Sequence, residues 1–189
     1  MKFAYADPPY LGCCSFYGHH HPDGRCWDDL ETHRLLIERL EQEFPDGWAL
    51  SLASTNLRIL FPLLPEDVRI GVWTKPFCAF KKYVRPAYAW EPVAFRGGRN
   101  PCNGYRHDPP QKRGTQTTPK DFISEPIALQ RGLVGAKPER VCRWILDLLN
   151  FQPGDEIVDL FPGTGVMGRV AAAAQSNNYG ELFQLNIPN

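Results

Sequence analysis

The chain has 189 residues, enough for one domain or one domain with an appendage, and 43% of them are hydrophobic, enough for a real core. Its formal net charge is zero, from 21 basic and 21 acidic side chains, so no global electrostatic bias draws it to nucleic acid. No apolar run approaches the roughly 20 residues of a membrane span, no secretory leader precedes the first strand, and the six cysteines are unevenly spaced, so a cytosolic protein with reduced thiols is expected.

Lys2–Ala6 reads as a short buried strand that ends at Asp7, where "DPPY" occupies positions 7–10. Residues 11–27 are loop-like and rich in Gly, His and Cys. Asp28 or Asp29 is placed to cap a helix that runs to about Phe44, with Leu30, Leu36, Ile37, Leu40 and Phe44 on its apolar face. "PDG" at 45–47 is a turn and "WALSLA" at 48–53 a strand, after which Thr55 or Asn56 caps a short helix ending near Leu60. "VRIGVWT" at 68–74 and "YAWEPVAF" at 88–95 are further strands, and the proline in the second points to an edge or a bulge. Trp48, Trp73, Trp90 and Trp144 fall in strand or helix patterns and read as core. Glu91 is an acid in an apolar strand, costly to bury without a partner, and is expected to order an arginine or backbone near the site.

Composition then shifts. Residues 97–130 are rich in proline and glycine and poor in large apolar side chains, so they read as a loop or an inserted element. Over residues 96–120 the chain is basic: Arg96, Arg99, Arg106, Lys112, Arg113 and Lys120 face the single acid Asp108. Order returns with "AKPERVCRWILDLLN", a helix with Pro138 in its first turn and Val141, Trp144, Ile145, Leu148 and Leu149 on its apolar face. "EIVDLF" is a strand, "PGTG" a tight turn, "VMGRVAAAAQ" a helix and "ELFQLN" at 181–186 a last strand. Strands alternating with helices predict an α/β sheet with helices on its faces.

In "DLFPGTG" at 159–165 an apolar strand runs into a Gly-x-Gly turn that opens a helix. Glycines there allow a tight turn and close approach to the main chain, and the free N–H groups of the new helix face the ligand. Taken alone the turn is also a common strand–helix connection, and no lysine–serine or lysine–threonine pair follows it, which disfavours a phosphate-cradling loop.

"DPPY" at one strand end and "DLFPGTG" at another together resemble the two signature motifs of amino-methyltransferases that act on nucleic-acid bases. "AKP" at 136–138 is similar to the Lys-Pro motif that precedes their cofactor loop, and "AWEPVAFRGGR" at 89–99 resembles their glutamate-bearing strand. Catalytic motif first and cofactor loop last is the permuted order of the β group of DNA N6-adenine and N4-cytosine methyltransferases. The resemblance implies a Rossmann-like α/β fold with a mixed, mostly parallel sheet and helices on both faces, seven-stranded-like but lacking one edge at a shortened C-terminus. It implies a single methyltransferase domain over 1–189, in which 97–130 is a reduced target-recognition element or a flexible loop. The implied cofactor is S-adenosylmethionine, around Lys137, Asp159, Phe161, Pro162, Gly163, Thr164 and Gly165. The implied catalytic stretch is Asp7, Pro8, Pro9 and Tyr10.

The chemistry suits those residues. The lone pair of an exocyclic amine is delocalised into its ring. Acceptors on its two hydrogens, the Asp7 carboxylate and the Pro8 carbonyl, localise that pair, and the diproline holds the geometry. Tyr10 offers a stacking face to a base flipped from the duplex. The resemblance implies that aspartate in first place points to adenine in DNA, with N4-cytosine methylation, RNA methylation or a catalytically inactive nucleic-acid-binding relative as alternatives. Arg25, Arg96, Arg99, Arg106, Lys112 and Arg113 are the expected nucleic-acid contacts.

The cofactor half is short. The last strand ends at Asn186, and Glu181 lies at its wrong end for a ribose contact, so Asn186 substitutes, affinity is weak, or a partner or second copy completes the site. Cys13, Cys14, His19, His20, His21 and Cys26 lack the paired spacing of a structural zinc site, so no metal is expected and the loop is read as closing over the base or touching DNA. A bacterial or phage enzyme acting in the cytoplasm fits the small size.

Overall fold

The computed structural model describes residues 1–14, 26–76, 88–98, 119–128 and 136–176. Strand β1 (Lys2–Ala6) has an apolar run buried on both faces, as in parallel α/β sheets. Helix α1 (Leu30–Glu43) starts at Asp29, whose side chain accepts from the Glu31 N–H at 3.1 Å. Asp28 is spent elsewhere, on the Gly12 N–H at 2.7 Å. Strand β2 (Gly47–Ser51) follows, then the short helix α2 (Leu57–Leu60), strands β3 (Arg69–Thr74), β4 (Trp90–Gly97) and β5 (Phe122–Ser124), helix α3 (Glu139–Leu148), strand β6 (Glu156–Asp159) and helix α4 (Val166–Gln175). The expected last strand at 181–186, with Glu181 and Asn186, lies outside the described residues.

The six described strands form one sheet in the order β5-β3-β4-β2-β1-β6. β1 is parallel to both β2 and β6, and β5 is parallel to β3. β4 runs antiparallel to both its neighbours, so it alone is reversed and the sheet is mixed and mostly parallel. Alternation along β1 splits the core in two. Phe3 and Tyr5 face α3 and α4, packing with Val141, Ile145, Leu149, Met167 and Val170. Ala4 and Ala6 face α1, packing with Leu36, Ile37, Leu40, Phe44 and Trp48. Helices therefore cover both faces.

Four sequence expectations change. β4 is an interior strand, not an edge: Pro92 falls where the β2–β4 ladder ends, and its carbonyl still accepts from the Leu52 N–H at 3.0 Å. The interval 97–130 contains strand β5, a three-residue edge that pairs with β3, which its sparse apolar content conceals. Trp90 is 38% exposed at the start of β4 rather than core, while Trp48, Trp73 and Trp144 are buried. Leu30, expected on the apolar face of α1, is exposed on its first turn.

Where β4 leaves the sheet, Gly98 passes α3 closely. Its φ is +79°, and a Cβ there would lie 2.4 Å from the Leu149 carbonyl oxygen.

Candidate active site

After β1 the chain continues to α1 on one face of the sheet; after β6 it continues to α4 on the other. Adjacent parallel strands whose helices diverge in this way open a crevice outside their carboxyl ends, the usual binding place in open α/β sheets. Asp7 follows β1 there, and Asp159 ends β6 beside it, with Tyr5 paired to Asp159 and the Leu160 N–H bonded to the Tyr5 carbonyl at 2.9 Å. "DPPY" and "DLFPGTG", 152 positions apart between Asp7 and Asp159, are thus neighbours through one ladder.

Asp7 is the hub of a charged cluster. Lys137 Nζ lies 2.8 Å from each of its carboxylate oxygens. The Tyr10 hydroxyl lies 3.2 Å from Asp7 Oδ1 and 3.0 Å from Glu91 Oε2. Lys137 also reaches Glu91 Oε2 at 3.2 Å, and Lys75 pairs with Glu91 Oε1. The four charged groups, two carboxylates and two ammoniums, sum to zero. β3 and β4 bring Glu91 and Lys75 to this rim: Trp73 pairs with Glu91, and Lys75 follows two residues on, 4.7 Å from the Trp73 ring centre and 4.3 Å from that of Tyr88.

Protonation follows from burial against pairing. Burial pushes the Asp7 carboxyl up, Lys137 pulls it down, and the balance lies above the usual aspartate range. Burial would also raise Glu91, but Lys137 and Lys75 outweigh it and hold it below the ordinary range. Lys137 is pulled down by burial and up by Asp7 and Glu91, and ends above an ordinary lysine, so it stays charged. Burial, with Asp7 and Glu91 nearby, pushes Tyr10 well above an ordinary phenol, so it remains a neutral donor.

The glycine turn forms the other wall. Gly163 and Gly165 have φ of +47° and +70°, and Gly165 caps α4 in the left-handed conformation. A Cβ at Gly163 would meet only the Phe161 carbonyl oxygen, at 3.8 Å, so space is open around the turn. The Asp159 carboxylate accepts from the Phe161 N–H at 3.1 Å, which fixes the chain as it enters the turn. Burial pushes that carboxyl up, the Phe161 N–H pulls it down, and Asp7 adds to the rise.

Two of the solved structures that match this architecture are similar at low identity. The crystal structure of the M1.HpyAVI–SAM complex is 13% identical, with a TM-score of 0.53, over 93% of this chain and 80% of that one. The crystal structure of M1.HpyAVI is 15% identical, with a TM-score of 0.52, over 92% of this chain and 76% of that one. The chain shares the Rossmann-like fold of those structures, a mixed and mostly parallel sheet with helices on its faces. No family model matches it, and no curated protein does.

On this fold the expected catalytic residues Asp7, Pro8, Pro9 and Tyr10 sit at the carboxyl end of β1, with Pro8 buried. Asp159, Phe161, Pro162, Gly163, Thr164 and Gly165 form the turn at the adjacent strand end. Lys137, which the resemblance places near the cofactor, has its ammonium on Asp7. Glu91 orders two lysines and a tyrosine rather than an arginine or backbone. The structure does not bring Arg96 to this crevice. It stands at the opposite rim, on β4 opposite Trp48, and its guanidinium is committed to Asp67 at 2.7 Å and to Glu41. Arg25, Arg99, Arg106, Lys112 and Arg113 lie outside the described residues, as do His19, His20 and His21.

Lys75 was missed from the sequence, although a lone cation after an apolar strand and before Pro76 marks a strand's carboxyl end. Tyr88 and Trp90 were missed as exposed aromatics of the same rim, at 41% and 38%. Among the described residues no cluster of three or more His, Cys, Asp or Glu is placed to hold a metal, and no helix is long and apolar enough to cross a membrane.

Proposed function

We propose that the protein transfers a methyl group from S-adenosylmethionine to the exocyclic amine of a flipped base, N6 of adenine in DNA. The observation that carries the reading is the meeting of "DPPY" and the glycine turn at the carboxyl ends of two adjacent parallel strands. The motif order, catalytic strand first and cofactor strand last, is that of the permuted methyltransferases noted above.

The residues present fit the cofactor in kind. A glycine turn with two left-handed positions and open space leads into the N-terminus of α4, whose free N–H groups suit a carboxylate, and Asp159 stands beside it. When bound, S-adenosylmethionine supplies an electrophilic methyl group. The chain positions the nucleophile. Asp7 accepts one amine hydrogen, and the Pro8 carbonyl, held by consecutive prolines, accepts the other. Tyr10, linked to Glu91 at 3.0 Å, is fixed beside Asp7 as a wall for the ring. Exposed Tyr88 and Trp90 extend that rim with aromatic faces of the kind on which unstacked bases rest.

The test is calorimetric titration of the full chain with S-adenosylmethionine, then incubation with DNA and assay for N6-methyladenine. Micromolar cofactor binding that Gly163→Val abolishes is expected. Asp7→Asn should keep cofactor binding and lose methyl transfer. No binding up to millimolar cofactor, or full transfer by Asp7→Asn, overturns the reading.

A further inference from the structure

The Lys137–Asp7 contact plays no part in the chemistry above, and it obstructs it. One ammonium spans both oxygens of the carboxylate at 2.8 Å, with Lys137 only 8% exposed. An ammonium offers three N–H donors and a base amine two, and both require an acceptor oxygen at hydrogen-bond distance. Lys137 spans both Asp7 oxygens and the Tyr10 hydroxyl lies 3.2 Å from Oδ1, so an incoming amine hydrogen must compete with the ammonium for that carboxylate. An amine that accepts a methyl group gains positive charge as it does so, and a fixed ammonium a few ångströms away in a buried site opposes that charge.

We propose that Lys137 is a displaceable stand-in for the substrate amine: its ammonium fills the acceptor seat on Asp7 when no base is bound, and it moves onto Glu91 when a base amine enters. The inference rests on amine methylation as the function and adds a positioning device to the same site. Glu91 is the receiving group by position. Its Oε2 is already 3.2 Å from Lys137 Nζ, and it is buried and tied to the Tyr10 hydroxyl. Moving one ammonium between two carboxylates leaves the cluster neutral, so the exchange needs no proton. The backbone anchor does not move: Pro138 is the N-cap of α3, with φ −63°, while the lysine side chain before it turns about four bonds. Asp7 is then never a bare buried anion, and a base is admitted only if its amine can displace an ammonium already in place. A ring without that amine leaves Lys137 where it is.

The experiment follows the Lys137 ammonium by NMR in the full chain carrying isotope-labelled lysine, with its signal assigned by Lys137→Arg. The probes are an oligodeoxyadenylate and the same oligomer with purine, which lacks the amine, in place of adenine. The Lys137 signal is expected to move with the adenine oligomer and to stay with the purine oligomer, while Tyr10 ring signals respond to both. Equal Lys137 responses to two oligomers that both bind overturn the stand-in and leave amine methylation untouched. Binding by neither, with no methyl transfer, removes both readings together. Lys137→Met gives an independent readout. If the plugged form dominates, KM for the adenine oligomer falls about tenfold, because the competent fraction no longer limits apparent affinity. An unchanged or raised KM in a folded Lys137→Met overturns the stand-in.

Discussion

Replacing Glu91 with glutamine keeps its shape and its bond to the Tyr10 hydroxyl but deletes one of the two negative charges that face Lys75 and Lys137. Removing one partner of a buried ion pair costs about 3–5 kcal/mol; since Asp7 still faces Lys137, about 2–4 kcal/mol is expected here. For a chain of this size that lowers the thermal midpoint by about 4–16 °C. The charge argument makes a sharper demand: Lys75→Met on top of Glu91→Gln leaves one lysine and one carboxylate, so the double variant should recover about 1–3 kcal/mol relative to additivity. The pH dependence has a fixed sign. Glu91 is held below the ordinary carboxylate range, so its contribution is full above the unfolded glutamate value, about 4.3, and is lost as pH falls through the lower folded value. The gap between wild type and Glu91→Gln is therefore constant near neutrality and closes in acid. Urea denaturation followed by circular dichroism reads all three variants. A Glu91→Gln loss under roughly 1 kcal/mol, or a double variant whose losses simply add, refutes the charge-balance argument.

Gly98→Ala should lower the urea midpoint by an amount equivalent to about 2–5 kcal/mol, since the new Cβ meets the Leu149 carbonyl at 2.4 Å and the backbone is left-handed. Gly163→Ala, left-handed but with open space around it, should cost only about 1–2 kcal/mol in the same assay, while weakening cofactor binding in the titration described above. Burial pushes the Asp147 carboxyl up to about 6 against the pull of Arg143. Its ionisation therefore costs stability as pH rises from about 4 to about 6, and Asp147→Asn should raise the thermal midpoint by about 1–2 kcal/mol equivalent above neutrality and by nothing below about pH 4.

Local signals were the legible ones. Two prolines after an apolar run fixed the end of β1, Gly-x-Gly after another run fixed the entry to α4, and Asp29 capped α1 within the expected pair. Pairing across the sheet was not legible. Lys137 and Asp7 are separated by 130 positions, and no periodicity says that the lysine side chain turns towards β1 rather than towards the glycine turn. Glu91 could be recognised as a buried acid in need of a partner, but its partners come from the segments after β1, after β3 and before α3, which only the strand order brings together. β5 exists because β3 offers it a ladder; three residues, the outer two of them exposed, carry no strand signal of their own. Trp90 misled because an aromatic in a strand pattern is core only if its strand end is covered, and β4 begins at an open rim.

The ladder between β1 and β6 also sets a timetable. Lys2 waits for Glu156, so β1 is completed only when β6 has been made, and the Met1 ammonium is clasped to Asp155 at 2.8 Å only then. At ribosomal speeds of about 5–20 residues per second, β1 exists for roughly 8–30 s with one edge unpaired. β2 can zip onto its other side early, but the half of the crevice that holds the glycine turn is missing throughout. A nascent chain of this protein therefore carries Asp7 well before it carries the glycine turn, and its crevice has one wall until Asp159 follows 152 positions later.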